Sequence, residues 1–287
     1  SRVSLSMVDT LRRGEQPDSL SEDNVVVENE DFYYNSAVGT LGYMIRPTTK
    51  LEAAGRYILM RYDDNEELAN NDDYDQTVGG LTLRHQLVPA TTVVGDFRFA
   101  SISYDENQTY ERGSSTVSGG GGVEQIFSPS LVGSARAGLE QKSYDAEELG
   151  DSSTPYADAS LTFLPSPRTR LSAGAGYSFY ESDVQAFANQ TRTLVFASLA
   201  HDLTAKVSWY LSGGYTISEY SIDESPDVTQ RIDGTENITQ VSTRLTYKVN
   251  RANLLEAGWE YVKLESEEDL RVSYDRNRFD VGWKYQF

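Results

Sequence analysis

The chain has no cysteine, which removes disulfide staples, thiolate nucleophiles and cysteine-based metal sites together. It has no apolar run of about 18 residues, so no helix of it is suited to span a bilayer. It has no excess of basic residues: 25 Lys and Arg stand against 44 Asp and Glu, a net charge of -19. That balance excludes a basic nucleic-acid surface. Only 38% of residues are hydrophobic and mean hydropathy is -0.51, values usual for a soluble acidic protein. A transmembrane β-barrel can show the same average, because its strands need about 10 residues each and only every second side chain meets lipid. Ser1 opens the chain without a signal peptide, so it reads as a mature fragment from which an export signal, and an N-terminal domain if one existed, has been removed.

Tyrosine is in excess, with 19 residues against 10 Phe and 3 Trp, and its amphipathic ring favours membrane interfaces. The clearest pattern is a hairpin repeat of roughly 40 residues. Short turns recur at RPTTK (46–50), LVPAT (87–91), SPS (128–130), PSPRT (165–169), LTA (203–205) and NRAN (250–253). Proline confined to turns leaves the strands between them free to pair on both edges. After each turn, apolar and polar residues alternate, as in Leu171, Ala173, Ala175, Tyr177 and Phe179 against Arg170, Ser172, Gly174, Gly176 and Ser178. Period 2 is the signature of a strand with two unlike faces.

These segments predict 14 strands, near 2–9, 31–45, 51–62, 74–87, 91–104, 114–127, 131–144, 155–164, 169–180, 190–203, 206–220, 237–249, 253–264 and 274–287. The expected fold is therefore all-β: one transmembrane antiparallel up-and-down barrel over residues 1–287. Six short turns then alternate with longer acidic loops, the asymmetry of bacterial barrels with periplasmic turns and outer loops. Both termini fall on the periplasmic side. Tyr62, Tyr104, Tyr144, Tyr180 and Tyr220 end successive rising strands and are expected to form an aromatic girdle at one membrane interface. A soluble all-β sandwich would alternate too, yet has no reason for strict short-long loop alternation.

The last strand reads RFDVGWKYQF. It places Phe279, Val281, Trp283, Tyr285 and Phe287 on one face and Asp280, Gly282, Lys284 and Gln286 on the other. An aromatic terminus after alternating hydrophobics resembles the signal read by the bacterial barrel-assembly machinery, with Val281, Trp283, Tyr285 and Phe287 as its residues. Units such as FLPSPRTRLSAGAGYSFYES also resemble the strand-turn-strand grammar of the β-barrel porin 2 family of outer-membrane proteins. The resemblance covers most of the chain. It implies a porin-like protein, some relatives of which accompany exopolysaccharide export systems, and it carries over no functional residue.

If the more apolar parity faces lipid, the other parity lines the lumen. It contains Glu52, Arg56, Arg84, Asp96, Arg98, Glu124, Arg136, Glu140, Asp158, Arg170, Arg244, Lys248, Glu256, Glu260, Arg278, Asp280 and Lys284. Interleaved charge fits a hydrated pore and equally a lumen closed by ion pairs. Side chains alone just fill a barrel of about 8 strands, so 14 should leave room for water. The acidic stretches DDNEELANNDDYD (63–75), DAEELGD (145–151) and ESEED (265–269) are solvated loops that can also meet divalent ions or lipopolysaccharide.

His85 and His201 each precede a short turn on non-adjacent strands, a poor basis for general-base catalysis. Gly119 to Gly122 lack the Lys-Ser/Thr of a phosphate loop and mark a bend or a place where something packs against the wall. No catalytic, cofactor or metal residue is expected. The leading functional expectation is a porin-like channel for passive diffusion of small hydrophilic solutes. The competing ones are an exit component for exopolysaccharide, with Tyr210 of lumen parity, and a plugged barrel acting as a scaffold. Expected partners are outer-membrane lipid and lipopolysaccharide, the assembly machinery, and a periplasmic or secretion-system component.

Overall fold

The computed structural model describes residues 2–14, 32–62, 73–104, 113–146, 151–181, 189–221, 234–267 and 272–285. They form fourteen strands: β1 (Val3–Gly14), β2 (Phe32–Arg46), β3 (Thr49–Tyr62), β4 (Tyr74–Val88), β5 (Thr91–Tyr104), β6 (Ser114–Ser128), β7 (Leu131–Tyr144), β8 (Ser152–Ser166), β9 (Thr169–Glu181), β10 (Asn189–Asp202), β11 (Val207–Ser221), β12 (Gly234–Lys248), β13 (Asn253–Ser266) and β14 (Tyr274–Tyr285). Each pairs antiparallel with its sequence neighbour, in the order β1 to β14. No helix among the described residues is long and apolar enough to cross a membrane; the strands form an outer-membrane type up-and-down β-barrel.

Strand number and order match the alternation in the sequence, and three boundaries differ by three residues or more, among them β12, which begins at Gly234 and not at 237. β1 runs on to Gly14, and β8 begins at Ser152 with Pro155 inside it. Proline is tolerated there because β8 is paired with β7 up to Ser152, while its ladder with β9 reaches only as far as Ala157. Register shifts at Met44/Arg46, Gln86/Val88, Ile126/Ser128 and Phe163/Ser166 sit beside the tight turns, where bulges commonly end pairing.

The register also carries the stagger that a barrel needs. Traced across the sheet, the row that starts at Val3, the first residue of β1, passes through Tyr43, Gly95, Ala137, Tyr177 and Ile217. It reaches β13 at Glu265, twelve residues beyond the start of that strand at Asn253. At about 3.3 Å per residue and about 4.8 Å per strand, the strands tilt by about 35°, within the barrel range. Among the described residues, β1 and β14 ladder only with β2 and β13.

All of the buried side chains but Phe179 share one face of the sheet, including Tyr34, Ile58, Met60, Asp96 and Glu236, and the face that a closed barrel encloses is its inner one. The other displays Leu81, Phe97, Leu139, Leu161, Val195 and Val281. Glycine matters most where Tyr156 of β8 lies flat along the inner wall. A Cβ on Gly138 of β7 would fall against the Tyr156 ring and the Gly119 carbonyl oxygen, and one on Gly120 of β6 against the Tyr156 hydroxyl. Across these glycines the hydroxyl donates to Asp96 Oδ2 on β5 at 2.8 Å. The run Gly119 to Gly122 thus contains a place where something packs against the wall, and that something is a tyrosine from a neighbouring strand.

Candidate functional site: the inward wall

All twelve charged residues Arg56, Arg84, Arg98, Arg136, Glu140, Arg170, Arg244, Lys248, Glu256, Glu260, Arg278 and Lys284 lie on rows continuous with the buried inward positions. The strands bring some of them together. Lys50 Nζ bonds Glu52 Oε2 at 2.6 Å, Arg84 spans Glu52 (3.5 Å) and Glu124 (3.2 Å), and Arg136 reaches the same Glu124 oxygen at 3.4 Å. The result is a ladder of alternating sign crossing β3 to β7, with Val94 of β5 buried in its middle. Such partly exposed pairs orient the wall more than they stabilise it. Arg56 is held by Ser36 and the Tyr34 hydroxyl, at 3.2 and 3.1 Å. Gln240 donates to Glu260 at 2.7 Å. Among the described residues the inward rows hold more basic than acidic side chains, although the whole chain has 25 of one and 44 of the other.

Burial varies along the barrel axis. Near the long-loop end the inward side chains are enclosed: Tyr34, Ile58, Met60, Tyr74 and Ile102 form one apolar cluster, and Ile238, Val262 and Leu264 another. Near the short-turn end Arg170, Tyr210, Arg244, Lys248 and Lys284 are exposed.

The aromatic girdle requires correction. Tyr104, Tyr144 and Tyr220 face inward. Tyr104 packs on Tyr74 and the Ile58 cluster, Tyr144 has Lys142 Nζ 4.9 Å over its ring, and Tyr220 is buried with its hydroxyl donating to Glu236 Oε2 at 2.9 Å. The physical reason is parity, since Tyr104 stands an even number of residues from Arg98, and Tyr144 from Glu140. The side chains of Tyr62 and Tyr180 lie outside the described residues.

The outward aromatics are different ones. From mid-strand, Tyr57, Tyr215 and Trp259 reach towards the loop end and donate to Asp75, Asn237 and Asn277 on the next strand, each at 3.0 Å. Towards the turn end, Tyr43, Phe163, Tyr247 and Trp283 face out, and Trp283 Nε1 donates to Asn253 at 2.9 Å. Along β12, Asn237 to Tyr247 is about 33 Å of strand or, at this tilt, about 27 Å of height, close to the apolar band of outer-membrane barrels. Amphipathic rings with a polar anchor suit such boundaries. Their signal was present in the sequence: they share the parity of Trp283 and Tyr285.

Val281, Trp283 and Tyr285 project outward, exposed by 87%, 66% and 50%; Phe287 lies outside the described residues, as do most of the acidic loop residues. His85 and His201 each pair through Nδ1 with a threonine hydroxyl, Thr49 or Thr169, at 2.9 Å, at equivalent hairpin ends. Among the described residues no group of three or more His, Asp or Glu is placed to hold a metal ion.

A family model described as "Putative beta-barrel porin 2" matches residues 10–287. Among solved structures, BauA, the ferric preacinetobactin receptor from Acinetobacter baumannii, is 12% identical with a TM-score of 0.60, covering 89% of this chain and 50% of that one. The FrpB iron transporter from Neisseria meningitidis (F3-3 variant) is 11% identical with a TM-score of 0.56, covering 94% and 51%. The ferric yersiniabactin uptake receptor FyuA from Yersinia pestis is 10% identical with a TM-score of 0.51, covering 85% and 45%. The chain spans about half the length of these structures, and the likeness is one of fold. No curated protein matches.

Proposed function

The chain belongs to the outer-membrane family described as "Putative beta-barrel porin 2", and from that premise we propose that it is a passive channel for small hydrophilic solutes. Its short turns and both termini face the periplasm and its long loops face outward. The observation that carries this reading is the contrast between the two faces of one sheet: a charged, hydroxyl-rich inner wall against an apolar, aromatic-banded outer one. Solutes pass by diffusion, sorted by size and by the charge of the wall.

Single-channel recording in a planar bilayer tests it. Discrete steps are expected, with a reversal potential in a salt gradient that favours anions, because the wall carries more basic than acidic groups. A cation preference would transfer the filter to the acidic loops, and silence from folded protein would overturn the channel reading. A second reading, a barrel closed at its loop end and serving as a scaffold, draws on the complete burial of Ile58 and Met60; silence is what it requires.

The outward terminal strand supports recognition by the assembly machinery. Replacing Phe287 with serine is expected to lower the yield of folded protein in outer-membrane fractions several-fold while leaving refolding into detergent unchanged. Equal yields for variant and parent would remove that role.

A further inference from the structure

One inward row runs from Arg170 on β9 through Ala200, Tyr210, Arg244 and Gly258 to Asp280 on β14. Ala200 leaves a gap between long side chains, and the gap opens into a cavity of about 550 Å³ whose lining includes Arg168, Arg170, Tyr210, Arg244, Ser208 and Thr246. That is the size of a small-molecule site. We propose that this cavity binds a small polyhydroxylated solute carrying an oxyanion, that is, a phosphate or carboxylate on a sugar-sized body. The inference rests on the channel reading and names the class of solute.

Its cations are available. The Arg170 side chain has no ion-pair or hydrogen-bond partner among the described residues. Arg244 meets Asp280 only at 3.8 Å, across Gly258, with the two side chains 53% and 41% exposed. A pair that open and that long leaves most of the guanidinium donors to other acceptors. The planar fork of arginine matches the two oxygens of a phosphate or carboxylate better than it matches a monatomic anion. The lining carboxylate, Asp202, accepts from Ser208 at 2.6 Å at the turn-side edge.

The polyol half rests on the next row. Ser172, Ser198, Ser212 and Ser242 stand side by side on β9 to β12, with Ser212 and Ser242 bonded at 2.7 Å. Hydroxyls both donate and accept, so a row of them can satisfy the hydroxyls of a sugar in more than one pose. Tyr210, 44% exposed between the arginines, adds a ring face and a phenol. Arg170 and Arg244 are three strands apart, about 14 Å between backbones, a span their side chains narrow to that of a sugar phosphate.

Titration calorimetry on the full chain folded in detergent micelles, at fixed ionic strength, tests this without requiring conduction, so a silent bilayer does not decide it. The probes are glucose 6-phosphate, gluconate, inorganic phosphate and glucose. Glucose 6-phosphate and gluconate are expected to bind, inorganic phosphate at least about fivefold more weakly, and glucose not at all. Arg170→Ala and Arg244→Ala should each weaken glucose 6-phosphate about tenfold. Arg98→Ala, which removes the same charge from the opposite arc, should change it less than twofold. Three results would overturn the proposal: no heat with glucose 6-phosphate from folded protein, a loss in Arg98→Ala equal to that in Arg170→Ala, or inorganic phosphate binding as tightly as the sugar phosphate.

Discussion

The Gly138→Val variant is expected to lose about 3 kcal/mol or more of stability, the cost of forcing extra carbon into a packed contact. Its Cβ would meet both a backbone carbonyl and the Tyr156 ring, and the carbonyl cannot swing aside without disturbing the β6–β7 ladder. Tyr156→Phe should cost about 2 kcal/mol, since it strands the Asp96 carboxylate, whose side chain is fully buried and whose nearest cation, Arg98, is 3.8 Å away. Combining Tyr156→Phe with Asp96→Asn isolates the contact: a coupling of at least about 1 kcal/mol is expected between the two sites. Denaturant unfolding in micelles, followed by tryptophan fluorescence, measures all of these. A Gly138→Val protein within about 0.5 kcal/mol of its parent, or strictly additive effects of the other pair, would show that Tyr156 does not clamp four strands together.

The second large effect is expected at the loop end. Ile58 and Met60 are completely buried on an inward face, and truncating either to alanine should cost about 2–5 kcal/mol through lost contacts and a residual cavity. Leu81→Ala, on the outward face and half exposed, should cost less than half of that. An apolar cluster on an inner wall can gate a channel by excluding water, so Ile58→Ala should also raise conductance or open probability. The unfolding midpoint and the single-channel current are read on one preparation. If Ile58→Ala and Leu81→Ala prove equally mild, the loop end is not a packed closure.

Most of the architecture was legible because a two-faced strand writes its period directly into the residues, and tight turns announce themselves with proline and asparagine. That the twelve charged residues share one face followed from the same parity. The girdle differs for a physical reason: Tyr104 and Arg98 share a strand and a parity, so they cannot occupy opposite faces, and recurrence of tyrosine at strand ends carries no information about face. What no single strand could reveal is contact across several. Tyr156 reaching Asp96, Arg84 bridging Glu52 and Glu124, and Arg170 sharing a row with Arg244 all depend on the register of three or more ladders. Each strand fixes which face a residue takes; only pairing fixes its height, and height decides partners.

Every ladder described above joins strands that are consecutive in sequence, whereas closing β1 onto β14 joins the two ends of the chain. Each hairpin closes a short loop at little entropic cost, while pairing the first strand with the last closes the longest loop of any ladder in the sheet. Until it closes, two rows of backbone N–H and C=O groups stay unsatisfied, a state water tolerates and hydrocarbon does not. Closing that seam is therefore expected to be the slowest pairing in this fold.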